Sequence, residues 1–161
     1  ALLKEGYDFG KGVFSDAFEG IKALKYDETS NDEEVEIKFD PALFKITGFK
    51  VNAGDYLDGI DFEIKSFDGN LRKKFHFGGF RGGTKKSVTF DDDEYLSNIN
   101  LAKGAIVDSI EICTNKRDYG RYGGTGGTGK TRDPKGYFAT GFKVKAGSWD
   151  GIALVKDIHL F

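Results

Sequence analysis

Three aspartates in this chain stand where a carboxylate could do recognition chemistry. Asp58 closes Gly54-Asp55-Tyr56-Leu57-Asp58, Asp108 closes Gly104-Ala105-Ile106-Val107-Asp108, and Asp150 closes Gly147-Ser148-Trp149-Asp150. A carboxylate ending a short glycine loop accepts charge-assisted hydrogen bonds from vicinal hydroxyls, which are stronger than neutral ones. Glycine has no Cβ to block close approach, so loop N–H groups can donate to ring and hydroxyl oxygens. Tyr56 and Trp149 offer flat apolar faces to the C–H side of a sugar ring. Such a site requires neither a metal nor a general base. The plain alternatives are Asx-type capping of the local turn for the aspartates and rim packing for the aromatics.

Three further glycine-rich stretches alternate with these loops. The first is Gly6-Tyr7-Asp8-Phe9-Gly10-Lys11-Gly12, the second Phe77-Gly78-Gly79-Phe80-Arg81-Gly82-Gly83, and the third Tyr122-Gly123-Gly124-Thr125-Gly126-Gly127-Thr128-Gly129. Any one alone reads as a hairpin turn or bulge. Three of each kind at corresponding places read as a repeated unit.

The elements that must position them carry the same repetition. Residues 47–54 are Thr-Gly-Phe-Lys-Val-Asn-Ala-Gly and residues 140–147 are Thr-Gly-Phe-Lys-Val-Lys-Ala-Gly, differing only at Asn52 and Lys145. A looser copy runs from Leu101 to Ile110, and all three lead to Asp-x-Ile or Asp-Gly-Ile. Internal repetition points to one supersecondary unit used several times. Val35–Phe39, Ile60–Ile64 and Ile110–Thr114 alternate apolar with polar residues, the period of a half-buried strand. Ile21 to Tyr26 also reads as a strand, the span 27–36 as an acidic insertion, and Asp68-Gly69 as a hairpin turn. No segment of ten or more residues has helical periodicity. The fold class is all-β, in one domain over residues 1–161.

Composition agrees. The 161 residues include 23 Gly, 15 Phe and only 2 Pro, which favours short strands and tight turns over helices. At 39% hydrophobic and 31% charged, the chain is neither disordered nor membrane-embedded. No apolar run approaches the ~18 residues of a membrane span. A formal charge of −2 gives no bulk attraction to nucleic acid. The lone Cys113 excludes an internal disulfide, leaves the compartment undetermined, and reads as a core residue. The start at Ala1 without any Met reads as a trimmed amino terminus, and no signal peptide is visible.

Other chemistries are weaker. Gly124-Thr125-Gly126-Gly127-Thr128-Gly129-Lys130-Thr131 matches a phosphate-binding loop as a string, but that motif needs a helix after it, and Pro134 and Gly136 deny one. A glycosidase needs two carboxylates facing each other across a cleft, whereas Asp55 and Asp58 share one loop. His76 and His159 have no partner pattern for nucleophilic work. Asp91–Glu94 lacks the spaced ligands of a calcium loop and reads as an exposed turn. The basic residues Arg72, Lys73, Lys74, Arg81, Lys85 and Lys86 read as a solvated face. No metal or cofactor is expected.

At these residues the chain resembles the jacalin-related lectins. The Gly-x-x-x-Asp loops, the glycine doublets, Thr114-Asn115-Lys116-Arg117-Asp118-Tyr119-Gly120, and the opening Gly10-Lys11-Gly12-Val13-Phe14-Ser15-Asp16 are similar to that family's pattern. The resemblance implies a β-prism I: three four-stranded Greek-key sheets about a pseudo-threefold axis. It implies a non-enzymatic lectin that binds monosaccharides, oligosaccharides and glycoproteins without metal, with oligomers adding avidity. In family terms, Gly10 and Gly12 pair with Gly147, Ser148, Trp149 and Asp150. Gly54, Asp55, Tyr56, Leu57 and Asp58 pair with Gly78 and Gly79, and Gly104–Asp108 pairs with Gly123 and Gly124. Galactose-binding members are typically cleaved near the amino terminus, so an uncleaved chain leading into Gly10 leans toward mannose or glucose. Two departures stand out: the loop before Asp150 is one residue short, and the span before the first repeat is long. The alternative reading is an adhesion or toxin-associated β-prism module with degenerate sugar sites.

Overall fold

The computed structural model describes the backbone of residues 18–19, 32–127, 129–132 and 138–161, with side chains over 32–127 and 138–161. The amino-terminal glycine loop with Gly10 and Gly12, and the strand expected at 21–26, lie outside the described residues. All regular structure within them is β: β1 (Phe18–Glu19), β2 (Glu33–Phe39), β3 (Phe44–Ala53), β4 (Leu57–Ser66), β5 (Arg72–Gly78) and β6 (Thr84–Thr89) come first. Then follow β7 (Leu96–Lys103), β8 (Val107–Thr114), β9 (Asp118–Gly123), β10 (Gly129–Arg132), β11 (Gly141–Trp149) and β12 (Ile152–Leu160). Among the described residues no helix is long and apolar enough to cross a membrane.

The strands form three four-stranded antiparallel sheets. Two have the same Greek-key order, β5-β4-β3-β6 and β9-β8-β7-β10: a central hairpin, a strand beside its second member, and a return beside its first. In the remaining sheet β11 and β12 form the hairpin, β2 takes the returning position, and β1 lies beyond β2. The expected β-prism I architecture is therefore present. The phosphate-loop reading fails on the same topology, because Gly129–Arg132 is a strand paired with β7 and not the start of a helix.

Alternation explains the packing. On β2 the residues Val35, Ile37 and Phe39 point inward while Glu34, Glu36 and Lys38 stay outside. The inward faces of the three sheets share one core, in which Phe142 stacks on Phe62 at 4.6 Å and meets the edges of Phe77 and Phe75 at 5.8 and 5.9 Å. Each buried aromatic of this kind contributes roughly 1.5–3 kcal/mol.

The repeat has a geometric mark as well. Near the loop end of each central hairpin the pairing skips a residue, a β-bulge that re-aims the skipped side chain. Asn52 pairs with Gly59 and Ala53 with Leu57, which leaves out Asp58. Ala102 pairs with Ser109 and Lys103 with Val107, which leaves out Asp108. Lys145 pairs with Asp157 and Ala146 with Val155, which leaves out Lys156.

The acidic turn 91–94 departs from its sequence reading. Asp91, Asp92 and Asp93 are exposed, but Glu94 is 0% exposed. Its Oε2 accepts from Thr114 Oγ1 at 2.6 Å and from the Tyr119 hydroxyl at 2.8 Å, with Arg117 Nε at 3.3 Å. Its Oε1 accepts from the Asp91 N–H at 3.0 Å. The string Thr114–Gly120 is thus a clamp on one buried carboxylate.

Candidate carbohydrate site

The bulge decides which carboxylates are equivalent. Asp58 and Asp108 are both the skipped residue, one position into β4 and β8, and both follow a three-residue loop. The loops fold alike: Gly54 N–H donates to the Tyr56 carbonyl, and Gly104 N–H to the Ile106 carbonyl, each at 3.0 Å. Both carboxylates are drawn in, with Asp58 6% and Asp108 8% exposed.

The glycine doublets divide into two roles. Gly79 N–H donates to the Asp58 carbonyl at 2.7 Å, and Gly124 N–H to the Asp108 carbonyl at 2.9 Å. Gly78, Gly79, Gly123 and Gly124 therefore hold the bulge backbone, and a Cβ on Gly79 would lie 2.7 Å from the Ala153 carbonyl oxygen. The glycines beside the carboxylates are a second set that the sequence reading left out. Asp58 Oδ2 and Gly83 N each stand 3.9 Å from the point where a Gly54 Cβ would sit. In the next sheet Gly127 lies against Asp108 Oδ2, where a Cβ would approach to 2.8 Å. The signal was available, because Gly78 and Gly82, like Gly123 and Gly127, stand four apart, and all four have positive φ.

The two sites differ in their walls. Beside Asp58 the loop presents half-buried Tyr56 and exposed Asp55, and nothing within 4 Å covers the space over Gly83. Burial pushes the Asp58 carboxyl up, Arg81 and Lys85 pull it back, and the balance stays above the ordinary value of 3.8. Lys85 is held by Asn52 Oδ1 at 3.1 Å and the Phe80 carbonyl at 2.7 Å. Beside Asp108 the place of Tyr56 is taken by Ile106, which is buried and offers no platform.

The equivalence expected for Asp150 does not hold. β11 and β12 continue past the level of the other two loops through Gly147–Leu154, Ser148–Ala153 and Trp149–Ile152. They turn on Asp150 and Gly151 alone, with φ of 51° and 79°, a two-residue hairpin of the I′ kind. Asp150 sits exposed at that tip, and the position of Asp58 belongs to Lys156. Across from it Asp32 precedes the Glu33–Ala146 pair as Gly83 precedes the Thr84–Ala53 pair. Lys156 Nζ bonds Asp32 Oδ1 at 2.6 Å, and Asp32 lies directly over Gly147. The first sheet therefore fills its loop with an internal ion pair of reversed polarity.

The three loop ends meet. The Asp55 carbonyl seats on Gly124, Gly79 on the Ala153 carbonyl, and Tyr56 meets Trp149 edge-on at 5.5 Å. Two readings away from this end also change. His76 does have a partner, Asp61 at 2.5 Å from its Nδ1. Cys113 is half-buried on the outward side of β8 and is not a core residue.

A family model described as the Jacalin-like lectin domain matches residues 27–153. No curated protein matches the chain. Solved structures share the fold: Calystegia sepium agglutinin has a TM-score of 0.61 at 21% identity, covering 86% of this chain and 97% of its own. Malaysian banana lectin has 0.58 at 21%, covering 81% and 99%. Frutalin from Artocarpus incisa, solved in complex with galactose, has 0.57 at 23%, covering 76% and 94%. With bulge, loops and sheet order in place and a family model spanning most of its length, the chain belongs to the Jacalin-like lectin domain family of carbohydrate-binding, non-enzymatic proteins.

Proposed function

We propose that this domain binds mannose- or glucose-type sugars without metal, chiefly through Gly54, Asp55, Tyr56 and Asp58 together with Gly82 and Gly83. The observation that carries this is the bulged Asp58, whose Oδ2 lies, like the Gly83 nitrogen, 3.9 Å from the open point where a Cβ on Gly54 would stand. The carboxylate accepts from two adjacent sugar hydroxyls, loop N–H groups donate to sugar oxygens, and Tyr56 packs on a C–H face. Asp108 with Gly126 and Gly127 is a second, poorer site for want of an aromatic. The sugar class rests on the family resemblance alone. A single shallow site of this kind binds near millimolar, roughly −4 kcal/mol.

Calorimetric titration with methyl mannoside, methyl glucoside and galactose tests the reading. Asp58→Asn keeps volume and removes charge, so the affinity should fall about tenfold or more. The substitution Asp108→Asn should matter less. Unchanged binding in Asp58→Asn would falsify the assignment. The reading as an adhesion module with degenerate sites has one observation in its favour, the Asp32–Lys156 pair in the first sheet. It predicts no monosaccharide binding in the wild-type chain.

A further inference from the structure

Away from the loops, the outward face of the β7-β8-β9 sheet gathers Glu111, Cys113 and Asp118. Glu111 and Cys113 stand two apart on β8 and so share a face, while Asp118 on β9 is the cross-strand partner of Cys113. One oxygen from each carboxylate and the thiol sulfur all lie within 4.8 Å of one another. Strand β7 covers this cluster with two asparagines, Asn98 opposite Cys113 and Asn100 opposite Glu111.

Asn98 supplies the independent observation. It is 3% exposed, and its Nδ2 is buried without a hydrogen-bond partner while its amide faces the Cys113 thiol. Its Oδ1 lies 3.0 Å from Ser97 Oγ, which is also 3.1 Å from the Cys113 carbonyl oxygen. A serine hydroxyl has one proton, so it cannot donate to both. Turning the amide over resolves the conflict. Nδ2 then donates to Ser97 Oγ, the Ser97 proton goes to the Cys113 carbonyl, and a carbonyl oxygen of Asn98 faces the thiol.

The cluster then consists of two carboxylates, a thiol and a buried amide oxygen, all acceptors once the thiol ionises. A divalent ion would satisfy all four donors at once. Thiolate with oxygen ligands favours zinc over magnesium or calcium, and four donors match its tetrahedral preference. The outer contacts are those of a supported ligand set: Asn100 Nδ2 donates to Glu111 Oε1 at 2.5 Å, and the Arg121 charge lies near Asp118.

We propose that Glu111, Cys113, Asp118 and Asn98 form a zinc site on this face, separate from the sugar loops. Cobalt(II) is the direct probe, because thiolate ligation gives a near-ultraviolet charge-transfer band and four-coordination gives intense visible bands. Titration should load one cobalt per chain, with both signatures displaced by Zn²⁺. Cys113→Ser should abolish the charge-transfer band, and Asp118→Asn, at an exposed position that leaves folding intact, should weaken binding about tenfold or more. In the wild type Zn²⁺ should slow labelling of Cys113 by a thiol reagent, and in Asp118→Asn it should do so only at about tenfold higher concentration. The proposal is overturned by the absence of a charge-transfer band, by cobalt affinity that Asp118→Asn leaves unchanged, or by labelling that Zn²⁺ does not slow in the wild type.

Discussion

Replacing Glu94 by Ala removes the centre of the clamp formed by Asp91, Thr114, Arg117 and Tyr119. Two hydroxyls and one backbone N–H lose their acceptor, and buried Thr114 keeps only a long 3.4 Å contact to the Arg117 carbonyl. An orphaned buried donor costs about 1–3 kcal/mol, so the loss should be about 4 kcal/mol. For a domain of this length that corresponds to a Tm lower by about 8–16 °C. Glu94→Gln keeps one oxygen and the volume and should lose about half as much, since neutral hydrogen bonds replace charged ones. The pH dependence separates charge from packing. Burial alone would push the Glu94 carboxyl up, but the bonds from Thr114, Asp91 and Tyr119 and the Arg117 charge outweigh it and hold it below its ordinary 4.5. Its ionised form therefore stabilises the fold fully above that value, and the contribution fades as pH falls beneath it. In urea unfolding at pH 7 and at pH 3 to 4, the gap between wild type and Glu94→Gln should narrow at the acid end. A gap that stays constant or widens with acid refutes the account of Glu94 as a buried anion.

Binding at Asp58 should weaken as pH falls, with a midpoint above 3.8, because burial raises that carboxyl and only its ionised form accepts both hydroxyls; calorimetry between pH 4 and 7 would show it. The same raised value means that ionising Asp58 costs stability as pH climbs past 3.8, so Asp58→Asn should be at least as stable as wild type at pH 7 by thermal melt. Gly82→Ala should cost about 1–3 kcal/mol and remove sugar binding together, since φ is 108° and the new Cβ would stand 2.7 Å from the Ala53 backbone; a variant with unchanged Tm contradicts this. Lys156→Met should leave the affinity at Asp58 unaltered, because the Asp32–Lys156 pair fills a different loop.

Much of this was legible in the residues. The alternation in Val35–Phe39 and Ile60–Ile64 marks strands because side chains on a pleated sheet point to opposite faces, and the doubled string at 47–54 and 140–147 marks β3 and β11 as copies. What a string cannot carry is where a hairpin turns. Gly147 aligns with Gly54, but β11 runs on for two more residues before its turn, so the eye equates Asp150 with Asp58. The register instead puts Lys156 there, and the sequence held the clue that Lys156-Asp157-Ile158 spaces to its isoleucine as Asp58-Gly59-Ile60 does. Glu94 looked solvated among four acids because its side-chain partners, Thr114, Arg117 and Tyr119, lie twenty or more residues away. Gly82, Gly83, Gly126 and Gly127 were hidden by the more conspicuous doublets three or four residues upstream, whose task is to hold backbone.

The meeting of the loop ends bears on engineering. Because the peptide of Asp55 rests on Gly124, the Ala153 peptide on Gly79, and Tyr56 on Trp149, the recognition end behaves as an arch in which each stone leans on the next. Transplanting one loop from a relative brings in a piece cut for other neighbours, and its misfit spreads to both adjoining faces. Altered selectivity is better sought by exchanging the whole crown, or by single substitutions of the Asp55 side chain, which leave those seats untouched.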